Sequence, residues 1–291
     1  MGTVVTAHVV GRSRRGIDRD ASAMRALDWF DRVERTCSRF DPASQLAVLT
    51  EHIGEAVHVS DLLFEVVRFA VAVARESGGA FDPTVGQTLA AAGFDREHRS
   101  GRRINTPVAD DLGDYRDIQV DEHEKTIMLV KPMTIDLGGV AKGFAVDLAA
   151  RALRAEGFEN FVIDAGGDLY LAGHNANDEP WSVGIRHPRD GNKYIDTLHL
   201  SDVAVCTSGD YERLAPTQNS DVTHHIVDPR THRSPSDVAS VTVIAPGTMA
   251  ADALSTAAFV LGPVDGIALL RRQQVSGFLY TTSLERYSTD S

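Results

Sequence analysis

Cysteine is nearly missing from this sequence: Cys37 and Cys206 are the only two among 291 residues. They stand far apart and without metal-type spacing, which argues against a disulfide framework and excludes a zinc site built on cysteines. Basic charge is also short. Lys and Arg number 29 against 41 Asp and Glu, a formal net charge of −12. That balance disfavours a general nucleic-acid binder, whose backbone contacts need a basic face. No basic region followed by an apolar core and a cleavage site opens the chain, and no segment reads as a long enough apolar run to cross a bilayer. The expectation is a cytoplasmic protein with no direct membrane span. "MGTVVT" fits a loose myristoylation pattern, but alternating Val5, Ala7 and Val9 make a first β-strand the better reading.

Two phosphate-binding patterns are missing as well. In "TIDLGGVAKGFAVDLAARAL", residues 134–153, a strand-like start runs through two glycines and a lysine into a helix. A P-loop needs Ser or Thr after the lysine, and Gly143 follows Lys142. The dinucleotide fingerprint G-x-G-x-x-G fails because Gly138 and Gly139 are adjacent.

What is present is ordinary for a globular chain: 43% hydrophobic and 24% charged residues, enough for a substantial core. Helices are expected over 20–39, 60–77 with Ser60 as N-cap, from near Val140, and over 248–261 and 263–272. Strands are expected at 160–164, 168–172, 181–186, 195–200, 202–206, 223–227, 238–245 and in "GFLYTT", with two more in "DIQVDEHEKTIMLV". Strands cluster rather than alternating with helices, so the fold class is α+β. No clean internal boundary is visible, so residues 1–291 read as one domain, with the polar stretch 95–117 as an exposed insertion.

Five segments carry polar groups in patterns with chemical meaning. Gly138-Gly139 bares backbone beside a helix N-terminus, where amides attract anions, and Lys142 reaches the same space; the alternative is simple chain reversal. In "VIDAGGDLYLAG", Gly166-Gly167-Asp168 is either a tight turn between strands or a carboxylate beside bare amides. In "AVCTSGDYER", Ser208, Gly209 and Asp210 suit phosphate or ribose, but equally an N-cap. In "THHIVDPRTHRSP", His224 and His225 lie on opposite faces of a strand and cannot share a metal. Asp228 sits in the turn that follows. In "MAADALSTAAFVLG", Asp252 and Thr256 are i and i+4 on one helix face. Thr256 either bonds back to its own backbone or joins Asp252 in a hard-cation site of the kind that suits Mg²⁺.

Taken in order, these segments resemble the ApbE family, the FAD:protein FMN transferases. The resemblance runs through "MGT" (1–3), "RFDPASQLAVLT" (39–50), "GGAFDPTVGQTL" (78–89), "DLGGVAKGFAVD" (136–147), "DAGGDLYLAG" (164–173), "WSVGIRHP" (181–188), "CTSGDYER" (206–213), "HHIVDPRT" (224–231) and "ADALSTAAFVLG" (251–262). It implies mixed or antiparallel sheets with packed helices and a flavin site between two lobes. It further implies Mg²⁺ held by the Asp252 carboxylate, the Thr256 hydroxyl and the Ala141 carbonyl. Met1, Gly138, Gly139, Lys142, Asp168, Ser208, Gly209, Asp210, His225 and Asp228 would line FAD, with His225, Asp228 and Lys142 the catalytic candidates. The implied reaction moves FMN from FAD to a Thr or Ser hydroxyl of an acceptor protein and releases AMP. Rival readings are a Mg²⁺-dependent FAD pyrophosphatase and a non-catalytic FAD-binding protein. Two positions depart from the family's habit: Thr50 stands where Asn is common, and His232 where Gly is.

Overall fold

The computed structural model describes residues 2–96, 101, 103–104, 112–212, 214–216 and 222–290. The first half runs β1 (Val5–Val10), α1 (Arg19–Cys37), α2 (Gln45–Thr50), β2 (Ala56–His58), α3 (Asp61–Glu76), α4 (Gly86–Ala91), β3 (Ile118–Asp121), β4 (Thr126–Leu129) and α5 (Gly138–Ala155). The second half runs β5 (Asn160–Ala165), β6 (Leu169–Ala172), β7 (Trp181–His187), β8 (Asp190–Leu200), β9 (Val203–Gly209), β10 (Leu214–Pro216), β11 (Val222–His224), β12 (Val238–Ala245), α6 (Thr248–Arg272), β13 (Ser276–Thr281) and β14 (Arg286–Ser288).

Seven strands form the central sheet in the order β1-β5-β6-β9-β12-β13-β14. Every neighbouring pair in it is antiparallel. A three-stranded sheet β2-β4-β3 and the hairpins β7–β8 and β10–β11 complete the strands. The expected "mixed or antiparallel" sheets are thus antiparallel among the described strands, and α+β holds. The inward face of the central sheet is apolar: Phe161, Ile163, Val241, Val243 and Leu279 are fully buried. Helices α5 and α6 cover it, and α1 packs on α5.

Local chemistry explains the helix ends. The Asp18 carboxylate accepts from the Ala21 amide at 2.7 Å to start α1, and Ser60 accepts from Leu63 at 3.4 Å to start α3. Helix α3 stops at Gly78-Gly79, both at positive φ, a conformation glycine adopts without strain. By contrast, α5 and α6 begin after Leu137 and Gly247, neither of which supplies a capping side chain. Their first amides are served from elsewhere, and those partners build the site.

Five expectations need correction. The helix expected from near Val140 starts at Gly138. The two helices expected over 248–272 are one element kinked at Gly262, whose φ is +84° before Pro263. This helix is long and apolar enough by composition to span a bilayer, which the sequence reading did not register; most of its apolar stretch is buried inside the fold. The strand expected over 223–227 ends at His224, with Ile226 and Val227 buried beyond it. Of the insertion expected over 95–117, residues 97–100, 102 and 105–111 lie outside the described residues. At its far end Leu112 and Arg116 are exposed, while Tyr115 between them is buried in a turn capped by Asp114.

Candidate active site

The site forms where α5 and α6 start side by side. Lys142, in the second turn of α5, points its ammonium at two carboxylates: it pairs with Asp168 and lies 3.3 Å from Asp252 Oδ2. Both acids are withdrawn from water, with Asp168 3% and Asp252 6% exposed. The Gly143 amide also donates to Asp252 Oδ2 at 3.3 Å. One ammonium therefore faces two buried carboxylates, leaving an excess of negative charge where the dielectric is low and the need for a counter-charge large.

Asp168 arrives there by a turn. Gly166 and Gly167 at positive φ reverse the chain between β5 and β6, and the Asp164 carboxylate accepts from the Gly167 amide at 2.9 Å. The tight-turn reading holds, and the turn aims the Asp168 carboxylate, but the Gly167 amide is not bare. Met1 lies outside the described residues; Thr3, nearby in sequence, packs against Gly166.

A hydroxyl cluster adjoins the acids. Ser208 Oγ, near the end of β9, lies 2.8 Å from Ser255 Oγ and 3.3 Å from Thr256 Oγ1. The hydroxyl that bonds back along α6 is that of Ser255, to the Asp252 carbonyl at 2.9 Å; Thr256 instead turns toward β9 and α5. Gly139 meets it there: a Cβ at Gly139 would sit 3.6 Å from Thr256 Oγ1 and 3.1 Å from the Phe81 ring. Ala141, the expected carbonyl ligand, is 8% exposed within the helix.

The remaining candidates hold separate partnerships. Asp210 accepts a two-pronged bond from Arg189, both at 2.7 Å, tying the β7–β8 turn to β9. Gly209 is a packing position, since a Cβ there would fall 2.6 Å from the Tyr211 ring. Asp228 binds the Arg230 guanidinium at 2.9 and 3.0 Å and its amide at 2.9 Å. Burial pushes the Asp228 carboxyl up, but Arg230 outweighs it and holds the group below the ordinary aspartate range. The two histidines diverge as expected. His224 is buried edge-on against Phe259 of α6, with Nε2 on the Pro235 carbonyl at 3.0 Å. His225 reaches the Glu212 carbonyl through Nδ1 at 3.2 Å.

Three contributors escaped the sequence reading. Asp136 accepts from the Gly138 amide at 2.8 Å and pairs with Arg39, which also donates to the Phe94 carbonyl at 2.7 Å. Phe81 covers Gly139. Asp147 receives the first amides of α6, Thr248 at 2.7 Å and Met249 at 3.0 Å. Asp136, Phe81 and Asp147 stood inside quoted motifs, but their partners lie far away in sequence and no spacing rule reaches them.

The order of these parts matches a known family over almost the whole chain: the model of the ApbE family covers residues 1–279. The chain belongs to the ApbE family. A Vibrio cholerae relative named FAD:protein FMN transferase is 32% identical over 253 residues, 84% of this chain and 75% of its own length. A Treponema pallidum relative of the same name is 34% identical over 253 residues, covering 78% and 68%. Among solved structures, the ApbE protein of Thermotoga maritima superposes with a TM-score of 0.84 at 30% identity, covering 98% of this chain and 93% of its own. The flavin transferase ApbE from Vibrio cholerae gives 0.84 at 26% identity, covering 100% and 95%. This ApbE-family chain is therefore an enzyme of the flavin-transferase kind, with the fold the resemblance implied.

Proposed function

We propose that this chain is a FAD:protein FMN transferase that works with Mg²⁺, modifies a Thr or Ser hydroxyl of an acceptor protein and releases AMP. Family membership supplies the flavin-transfer reading. One observation carries the rest: buried Asp168 and Asp252 share the single ammonium of Lys142 beside the start of α5.

A hard divalent cation fits that donor set. The oxygens on offer are carboxylates and a hydroxyl, which suit Mg²⁺, and burial pushes the nearby Cys206 thiol well up, away from the thiolate that would favour a softer metal. Asp252 and Thr256 would hold the ion, one turn apart on the same face of α6. A carbonyl from the first turn of α5 would complete the protein's share. The expected donor is Ala141, buried in that turn. When bound, Mg²⁺ would neutralise pyrophosphate charge and make the attacked phosphorus a better electrophile.

The chain's own groups supply the other requirements. Lys142 offers a positive charge to the phosphates beside the start of α5, whose Gly138 amide is held by Asp136. The acceptor oxygen bonds to the FMN-side phosphorus, the bond to the AMP phosphate breaks, and AMP departs with that electron pair. The hydroxyl proton passes to a base. His225 fits this role better than Asp228. Its Nδ1 donates to the Glu212 carbonyl at 3.2 Å, which orients the ring. Asp228 is weakened as a base by Arg230.

The test is incubation with FAD and MgCl₂, with and without a Thr-bearing acceptor, following AMP and flavin that stays on protein after denaturation. AMP that forms only with acceptor, and stops with EDTA, supports the transferase. AMP without acceptor would make the chain a pyrophosphatase. Tight FAD binding with no AMP under any condition would leave a carrier.

A further inference from the structure

Helix α6 carries Asp252 and Thr256, yet nothing in its own leading sequence holds its start. Gly247, at the N-cap, has no side chain. The acceptor comes from another helix: the Asp147 carboxylate takes the Thr248 amide on one oxygen and the Met249 amide on the other. Asp147 lies four residues beyond Gly143, on the same face of α5. Gly143 is where the helices touch, since a Cβ there would fall 2.5 Å from the Thr248 carbonyl oxygen. The same residue's amide reaches Asp252. Thus α5 grips α6 at its first turn through Asp147 and one turn later through Gly143.

We infer that Asp147 is a positioning residue: by binding the first two amides of α6 it sets that helix's register on α5, so that Asp252 and Thr256 face Lys142 and Gly139. A local cap would have stabilised α6 equally well without linking it to α5. The arrangement is not the cheapest for stability. Burial pushes the Asp147 carboxyl above the ordinary aspartate range despite its two amides.

This inference rests on the Mg²⁺ reading above, and its test separates the two. Three proteins are compared: wild type, Asp147→Ala, and Asp147→Ala combined with Gly247→Ser. Gly247 has extended backbone, φ −137° and ψ 148°, which suits a serine N-cap. The added Cβ would crowd Asp147, 3.3 Å away, but not an alanine. The double variant therefore restores a cap that is local to α6. Thermal unfolding reports the helix, and titration of FAD and Mg²⁺ reports the register.

The expected result is lower stability in the single variant, recovered in the double variant. Mg²⁺ affinity should be weakened about 10- to 100-fold in both, the range for lost supporting groups around a metal site. Double-variant protein with wild-type affinity for FAD and Mg²⁺ would make Asp147 a plain cap and overturn the inference, as would unchanged affinity in Asp147→Ala. If the single variant does not fold, the double variant alone decides. Wild type that binds FAD but no Mg²⁺ would defeat the metal reading instead. FAD affinity across the same proteins then judges Asp147, with unchanged affinity in the double variant counting against it.

Discussion

Two buried carboxylates on one ammonium make an unequal trio, and removing one acid should show it. Asp252→Ala leaves Lys142 paired with Asp168, charge matched to charge, and replaces a helical Asp by a better helix former. Stability should hold or rise, while AMP release falls by about 10²-fold or more, the scale of losing a main electrostatic contact to the reacting group. A variant that unfolds, with unchanged turnover per folded molecule, would make Asp252 structural. His224 behaves differently, because it is held by packing on Phe259 and by one bond to the Pro235 carbonyl. Burial lowers its pKa below the ordinary 6.5, so the unfolded chain takes up the proton first. Its contribution is intact above about pH 6.5 and is lost as pH falls from there through the lowered folded value. Urea unfolding between pH 5 and 7.5 should show a slope that His224→Phe reduces, by at most about 1.4 kcal/mol per pH unit for one proton. Equal slopes in the two proteins would refute the assignment.

At the scale of elements, the contact between α5 and α6 decides most. Gly143→Ala pits two effects against each other. Helix propensity favours alanine by about 1 kcal/mol, but the new Cβ would lie 2.5 Å from the Thr248 carbonyl oxygen. Overpacking of a close helix contact costs about 1–3 kcal/mol, so net destabilisation is expected in chemical unfolding; a gain in stability would mean the helices part easily there. What the sequence revealed also sorts by element. Helices α1 and α3 announced themselves because 19 and 16 residues give apolar spacing room to repeat and a capping side chain marks each start. Six-residue α2 and α4 and three-residue β14 are too short for any period to show. Gly262-Pro263 read as a gap between two helices, since a kink and an interruption use the same residues. In the site, Lys142, Asp168, Ser208, Asp252 and Thr256 were legible and meet in space. Asp147 and Arg39 were not, because their meaning lies in partners 101 and 97 residues away.

Across the whole molecule, an acidic chain must hold an acidic substrate. With a net charge of −12, the field far from the surface repels a dinucleotide, while on the proposed reading Lys142 attracts it only at short range. Salt screens the first effect over about 8–10 Å near physiological ionic strength and leaves contacts inside the site largely untouched. FAD association measured by stopped-flow flavin fluorescence without Mg²⁺ should therefore speed up, roughly severalfold, as salt rises from about 10 to 150 mM. Dissociation should change little. On the proposed Mg²⁺ reading, millimolar Mg²⁺ at low salt should raise the association rate beyond what equal ionic strength of NaCl achieves, because the ion would act within the site as well as around the molecule. An association rate that falls with salt would mean that local cations, not the net charge, govern the encounter. In that case Arg189 and Arg230, which sit on Asp210 and Asp228, become the groups to neutralise next.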